Sequence, residues 1–180
     1  MSVARPVAAG SVPAQPSVPP ERFRSAFRAH PAGVAVITVP GSPRPAGFTA
    51  TSLVSLSLTP PLVCFSIAAT ASSWAAVRDA TTAVAHLLAA DQEDIARRFA
   101  TSGIDRFAAP TRYRLLPGGA PLLDEVGTWL LLSLESLIPA GDHHLVTARV
   151  RQVTTTGDHR PLLYHDGTYR TLEGLPPNPR

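Results

Sequence analysis

Between Gly47 and Pro61 the chain reads GFTATSLVSLSLTPP, and Thr49, Thr51, Ser52, Ser55 and Ser57 crowd hydroxyls among apolar Leu53, Leu56 and Leu58. The run has the composition of one β-strand. A strand that only fills a core has little use for so many hydroxyls, because each costs free energy when buried without a partner. A strand bordering a polar, phosphate-bearing ligand would use them. A second marked spot is Gly141-Asp142-His143, a tight polar corner just before a regular strand, which singles out His143 for function. His144 follows, with His159 and His165 further on, but adjacent strand residues point to opposite faces. His143 and His144 are therefore poorly placed to share an ion, and no metal site is expected.

Other candidates carry two readings each. His86 interrupts the apolar run TAVAHLL, either as a satisfied core or cleft-edge histidine or as a ligand contact. Arg97 and Arg98 suit the last turn of a helix, where cations favour the dipole. The sharper reading has one of them reaching a phosphate. Asp124 and Glu125 are adjacent in sequence and read as solvated rather than as an acid–base pair. The chain has no GxSxG elbow, HExxH helix, Walker A loop or GxGxxG turn, so the self-contained catalytic sets and the usual dinucleotide fingerprint are missing.

The elements that must position these residues are mostly strands. ERFRSAFRAH places Phe23, Ala26, Phe27 and His30 at helical spacing and ends at Pro31 and Gly33. VAVITV (34–39) is a β-branched strand, and a second strand runs from Leu62 to Ile67 after the Thr59-Pro60-Pro61 stop. Ser72 or Ser73 can cap a short helix through Trp74 and Arg78, and residues 82–88 return as a strand. Asp91 is expected to cap a helix holding Ile95 and Phe99 on one face, terminated by Gly103. WLLLSLESLI (129–138) and HHLVTARVRQVTT (143–155) are strands joined by Pro139-Ala140-Gly141-Asp142. PLLYHDGTYRTL closes the chain's ordered part as a hairpin around Asp166-Gly167, a type I′ turn signal. Short turns between neighbours favour antiparallel pairing, and about seven strands with short helices suggest a β-barrel with peripheral helices.

At 180 residues this is one domain. A proline-punctuated tail is expected at 1–20, the folded domain at 21–172, and a second tail at 173–180. All 16 basic residues are arginine, the net charge is +3, and no basic stripe is interleaved with aromatics; nucleic acid is not an expected partner. Cys64 is the single cysteine, so an internal disulfide and a thiolate metal cluster are excluded, and its apolar run PLVCFSI reads as a buried structural thiol. No basic-then-apolar leader opens the chain and no apolar run reaches spanning length, so no membrane association and a cytoplasmic location are expected.

Taken in order, FRSAFRAHPAGVAVIT (23–38), GFTATSLVSLSLTPPLVCFSI (47–67), LLAADQEDIARRFA (87–100), GDHHLVTARV (141–150) and PLLYHDGTY (161–169) make a specific combination. The chain resembles the flavin reductase-like family, the reductase components of two-component flavin monooxygenases, over roughly Phe23 to Leu172. The resemblance implies a mainly β, antiparallel FMN-binding split barrel with short peripheral helices, paired as a homodimer with flavin at the interface. It implies FMN or FAD held by Thr49, Ala50, Thr51, Ser52 and Ser55, by Ser66 and Ile67, and by Ser72 and Ser73 near the phosphate tail. Arg97 and Arg98 would lie in the helix beside it. His143 matches the position associated with nicotinamide binding, with Tyr164, Gly167 and Tyr169 on the hairpin nearby. His86 stands where many relatives carry asparagine. The implied activity is an NAD(P)H:flavin oxidoreductase, with NADH or NADPH as donor, supplying reduced flavin to a partner monooxygenase. A flavin- or haem-binding barrel without turnover, a scaffolding partner in an assembly and a flavin-dependent oxidase are the alternatives.

Overall fold

The computed structural model describes residues 17–156 and 160–172. The tails expected at 1–20 and 173–180 lie outside these residues apart from positions 17–20, where the chain already enters its first helix. Helix α1 (Pro20–Arg28) is followed by β1 (Ala32–Gly33), β2 (Ala35–Val39), β3 (Ala46–Ala50), β4 (Val54–Leu58) and β5 (Pro61–Ala68). Then come α2 (Trp74–Asp79), β6 (Thr82–Leu87), α3 (Glu93–Ala100), β7 (Tyr113–Leu115) and β8 (Pro121–Leu123). The chain finishes with β9 (Thr128–Ala140), β10 (His143–Thr155), β11 (Leu162–His165) and β12 (Thr168–Thr171). Among the described residues no helix is long and apolar enough to cross a membrane.

Seven strands form one antiparallel sheet in the order β3-β2-β6-β9-β10-β5-β4. Register breaks between Thr147 and Ala148 and between Val150 and Gln152 interrupt the long β9–β10 pairing. Such bulges bend strands and increase twist, which helps the sheet curl. The inner face packs Ile37, Phe65, Ile67, Leu132 and Val146 into the main core. On the other face Val36, Leu88, Ile95, Phe99 and Leu162 form a second core under α3. All five residues of β2 are buried, because this strand is covered on both sides; it is apolar but for Thr38, whose hydroxyl donates to the Pro121 carbonyl.

The stretch 47–61 is not one strand. β3 ends at Ala50 and β4 starts at Val54, and these two segments sit at opposite edges of the same sheet. Thr51, Ser52 and Leu53 carry the chain across the gap. Short-range composition could not show this, since both halves have strand character and the break depends on pairing partners more distant in sequence. A β7–β8 hairpin also occupies the loop rich in Pro and Gly, where no strand was expected. The Asp166-Gly167 turn agrees with its signal: both residues have positive φ, 48° and 77°, joining β11 to β12.

Gly47 on β3 is where the second core meets the strand edge. A Cβ there would lie 2.8 Å from Cε1 of Phe99 and 2.9 Å from the Ile37 carbonyl oxygen. The backbone carbonyl cannot turn aside while β2 and β3 stay paired. Gly47→Ala is therefore expected to cost about 1–3 kcal/mol through overpacking, read as a lower urea midpoint; an unchanged midpoint would show that Phe99 and β2 yield freely.

Candidate functional site

The gap between β3 and β4 opens into a cleft of about 380 Å³. Its walls bring together Thr49, Ala50, Thr51, Ser52, Ser66 and Ile67 with Ser72, Ser73 and His143. These residues come from the end of β3 and the gap crossing, from β5, from the loop before α2 and from the start of β10.

Several of the hydroxyls hold the walls in place. Thr49 Oγ1 donates to the Ala96 carbonyl at 2.6 Å, fastening β3 to α3. Ser52 Oγ accepts from the Ser66 N–H at 2.9 Å and donates to the Ser66 carbonyl at 3.4 Å, tying the crossing to β5. Ser73 is buried, and its Oγ donates to the Gly47 carbonyl at 2.9 Å. The residue precedes α2 but makes no side-chain capping bond, because Gly47 takes that hydroxyl. Likewise the cap of α3 is Gln92, not Asp91; the Gln92 side chain bridges the Ala89 N–H and the Glu125 carbonyl. Part of the hydroxyl surplus is therefore structural, and exposed Thr51 remains open to the cleft.

The cation of the cleft is Arg106, which sequence reasoning missed. Its Nε donates to the Thr101 carbonyl at 3.0 Å, and Nη1 reaches the Gly47 carbonyl at 3.1 Å, Ser72 Oγ at 3.2 Å and Ser73 Oγ at 3.3 Å. No carboxylate pairs with it among the described residues. Burial lowers its pKa from the ordinary value, yet a guanidinium stays charged at any working pH. Nothing in SGIDRFA separates this arginine from a solvated loop residue; only the folded loop shows what it faces.

Arg97 and Arg98 do not line this cleft. Arg97 pairs with Glu93 one helical turn back and lies 5.1 Å from the Tyr169 ring centroid. Arg98 bonds Thr111 Oγ1 and pairs with Asp94. These i,i+4 partners satisfy them on the helix itself. Ser55 also lies outside, exposed on β4.

His86 is fully buried between strands rather than at the cleft. The Leu123 N–H donates to its Nε2 at 3.0 Å, so Nδ1 carries the proton and donates to the Val36 carbonyl at 3.0 Å. Both ring nitrogens are used inside the core, which is the satisfied-core reading of the two; neither is left for a ligand. Burial pushes its pKa down to about 4, partly opposed by the bond to Val36.

His143 stands at the mouth. Ala69 N–H donates to the Asp142 carbonyl at 3.0 Å, pinning the corner to the loop before α2. Gly141 has φ of 64°, a conformation that favours glycine. His143 Nδ1 donates to Asp142 Oδ1 at 2.7 Å, leaving Nε2 as the nitrogen available to a ligand. The hydrogen bond from His143 lowers the Asp142 pKa. His144 points the other way and stacks on Trp74, with centroids 3.8 Å apart.

Tyr164 and Gly167 line a second, wider groove of about 750 Å³ beside the first. Thr51 and Ser52 border both spaces. Tyr169 packs edge-on against Tyr164, with centroids 5.3 Å apart, and burial raises its phenol pKa.

Residues 27–173 match the family model described as the flavin reductase like domain. An NADH:FMN oxidoreductase from Rhodococcus qingshengii is 45% identical over 151 residues, covering 82% of this chain and 79% of the relative. The reductase subunit of a flavin-dependent monooxygenase from Rhodococcus jostii is 34% identical over 164 residues, covering 91% and 83%. The crystal structure of a flavin reductase domain protein from Arthrobacter sp. FB24 superposes with a TM-score of 0.81 at 36% identity, covering 87% of this chain and 97% of that one.

Buried neutral His86 gives the fold a pH dependence of definite sign. Its folded pKa of about 4 lies below the unfolded value of 6.5, so the unfolded chain binds the extra proton between these values. Stability should be level above pH 6.5 and fall by about 3 kcal/mol as pH drops toward 4. Urea titrations at stepped pH would show this slope, and His86→Gln, although less stable at neutral pH, should lose it. An equal slope in both proteins would assign the acid sensitivity elsewhere.

Proposed function

The chain belongs to the flavin reductase-like domain family, and on that premise we propose that it is an NAD(P)H:flavin oxidoreductase using NADH and FMN. The observation that carries the reading is the cleft between β3 and β4, with Arg106 and His143 both opening onto it. Its donor set suits a flavin nucleotide: neutral hydroxyls and a strand edge for the polar rim of the ring, and one guanidinium without a carboxylate partner among the described residues for the phosphate. NADH and FMN are the substrates named for the 45% identical relative from Rhodococcus qingshengii.

When bound, the two nucleotides would supply the redox chemistry, hydride transfer from the nicotinamide to the flavin. The chain's own residues bind, orient and polarise. Thr51, Ser66 and backbone N–H groups along the crossing bond the flavin's polar rim, where preorganised donors favour the negative charge that develops on reduction. Arg106, with Ser72 beside it, holds the phosphate through charge-assisted hydrogen bonds. His143, its Nδ1 proton committed to Asp142, presents Nε2 to the nicotinamide half and fixes its approach. No side chain acts as nucleophile, so the acceleration comes chiefly from holding two rings in contact. The product is reduced flavin for a partner monooxygenase, as the relationship to the Rhodococcus jostii reductase subunit suggests. Exposed Val54, Leu56 and Leu58 on edge strand β4 make that strand the face for pairing two copies of the chain.

Anaerobic mixing of the purified protein with FMN and NADH should bleach the flavin absorbance, more slowly with FAD or NADPH. No bleaching with any of the four pairings would sink the reductase reading in favour of a binding protein. Arg106→Ala should raise KM for FMN roughly 10- to 100-fold, the range for a lost charged hydrogen bond. It should leave riboflavin, which has no phosphate, nearly unchanged. His143→Ala should raise KM for NADH much more than for FMN; an equal rise in both would remove it from the nicotinamide side.

A further inference from the structure

Asp105 and Arg106 are neighbours in sequence and carry opposite charges, yet Asp105 is not among the partners of Arg106. Adjacent acid and base do pair elsewhere in this chain. Arg78 Nε meets Asp79 Oδ1 at 2.8 Å, and His143 Nδ1 meets Asp142 Oδ1 at 2.7 Å. What separates Asp105 from Arg106 is the β2–β3 hairpin. Arg44, in its turn, donates from Nη1 to Asp105 Oδ2 at 2.7 Å, across 61 residues of sequence. The other carboxylate oxygen, Oδ1, accepts from the Phe107 N–H at 3.0 Å, so both oxygens are taken. A little further along the same hairpin, the Gly47 carbonyl accepts from Arg106 Nη1 at 3.1 Å. The turn that presents Arg44 is closed so tightly that a Cβ on Gly41 would strike the Arg44 carbonyl oxygen. One hairpin thus holds the two neighbouring charges apart: Arg106 lines the cleft, and Asp105 does not.

From this sorting of charges we infer that Arg44 is a positioning residue for the phosphate end of the cleft, holding the Asp105 carboxylate off Arg106 so that the guanidinium keeps its charge for a ligand. Arg44 acts at one remove, since it does not line the cleft itself. Without it, Asp105 Oδ2 loses its cation, and the guanidinium on the next residue is the cation at hand. An Asp105–Arg106 pair would compete with an incoming phosphate, because a guanidinium donates through a fixed fork and its N–H groups cannot serve both anions. The arginines of α3 cannot take over, each being paired with its own acid. The Arg44 side chain is 72% exposed, so its ion pair contributes little to stability. Keeping a carboxylate away from the cation of the cleft accounts for a bond that the core does not need. This role rests on the reading of Arg106 as the phosphate ligand and adds to it a residue outside the cleft that sets how firmly the phosphate is held.

Affinities for FMN and riboflavin, measured on the purified protein by quenching of flavin fluorescence, read the phosphate contribution as a ratio without turnover. Wild-type protein should prefer FMN. Arg44→Ala should lower that preference roughly two- to fivefold, the range of an exposed ion pair, by weakening FMN and leaving riboflavin unchanged. Arg44→Lys, which keeps a cation for Asp105, should retain the preference. Arg44→Ala/Asp105→Asn should regain it, because the competing charge is gone while asparagine still offers an oxygen to the Phe107 N–H. A merely structural bond would not be repaired by removing its second partner. With both side chains at the surface, the variants should keep the fold, checked by unchanged thermal unfolding. A preference unaltered in Arg44→Ala, or one that stays low in the double variant, overturns the role of Arg44. Arg106→Ala separates the two levels. If it abolishes the preference while Arg44→Ala leaves it intact, Arg106 stays the phosphate ligand and only the role of Arg44 falls. If it changes nothing, the phosphate reading of the cleft falls and the role of Arg44 with it.

Discussion

The constraint on which the site depends is that β3 and β4, consecutive in the chain, cannot pair. They lie at the two ends of a seven-stranded sheet, so the curled sheet is left open along their edges. An open edge presents backbone donors and acceptors without strand partners, a liability that proteins cover or use. Here the crossing residues are fastened to the far side by Ser52, whose hydroxyl holds both the N–H and the carbonyl of Ser66. The opening is thereby held at a set width instead of collapsing, and a cleft with polar walls results.

A second feature follows from the first. The carbonyl of Gly47, on the open edge strand, accepts from both Ser73 and Arg106, which draws the loop before α2 and the loop after α3 to the same point. A positive charge is thus fixed by neutral oxygens, where a nearby carboxylate would cancel it. The arginines of α3 show the contrast. Each has an acidic residue one turn earlier, and an ion pair of that kind leaves little charge for a ligand. His143 reaches the same cleft from β10, held by a corner that Ala69 pins to the loop carrying Ser72 and Ser73. Proximity of these groups is therefore built into the fold before any ligand arrives, and such preorganisation is what a reaction between two bound partners requires.

The flanking groove extends this arrangement. α1 contributes nothing to the core, so packing does not account for its phenylalanines. The hairpin opposite is set by a two-residue turn with both residues in the left-handed region, which keeps Tyr164 and Asp166 facing the helix.

Much of this was readable from residue order. The antiparallel strands follow from alternation and short turns, and the type I′ hairpin from Asp-Gly. The opposite facing of His143 and His144 follows from the strand period of two, because such signals are local. The excess of hydroxyls marked a stretch, and the GDH corner a histidine, that the fold brings to one cleft. What the tertiary structure decided depends on partners far away in sequence. It divided 47–61 into two strands, since pairing is set by β2 on one side and β5 on the other. It moved His86 from candidate ligand to core, because its two partners are 50 and 37 residues away. It also replaced Arg97 and Arg98 with Arg106 as the cation of the cleft. Composition shows that an arginine is present; only the fold shows whether a carboxylate or an open cleft stands before it.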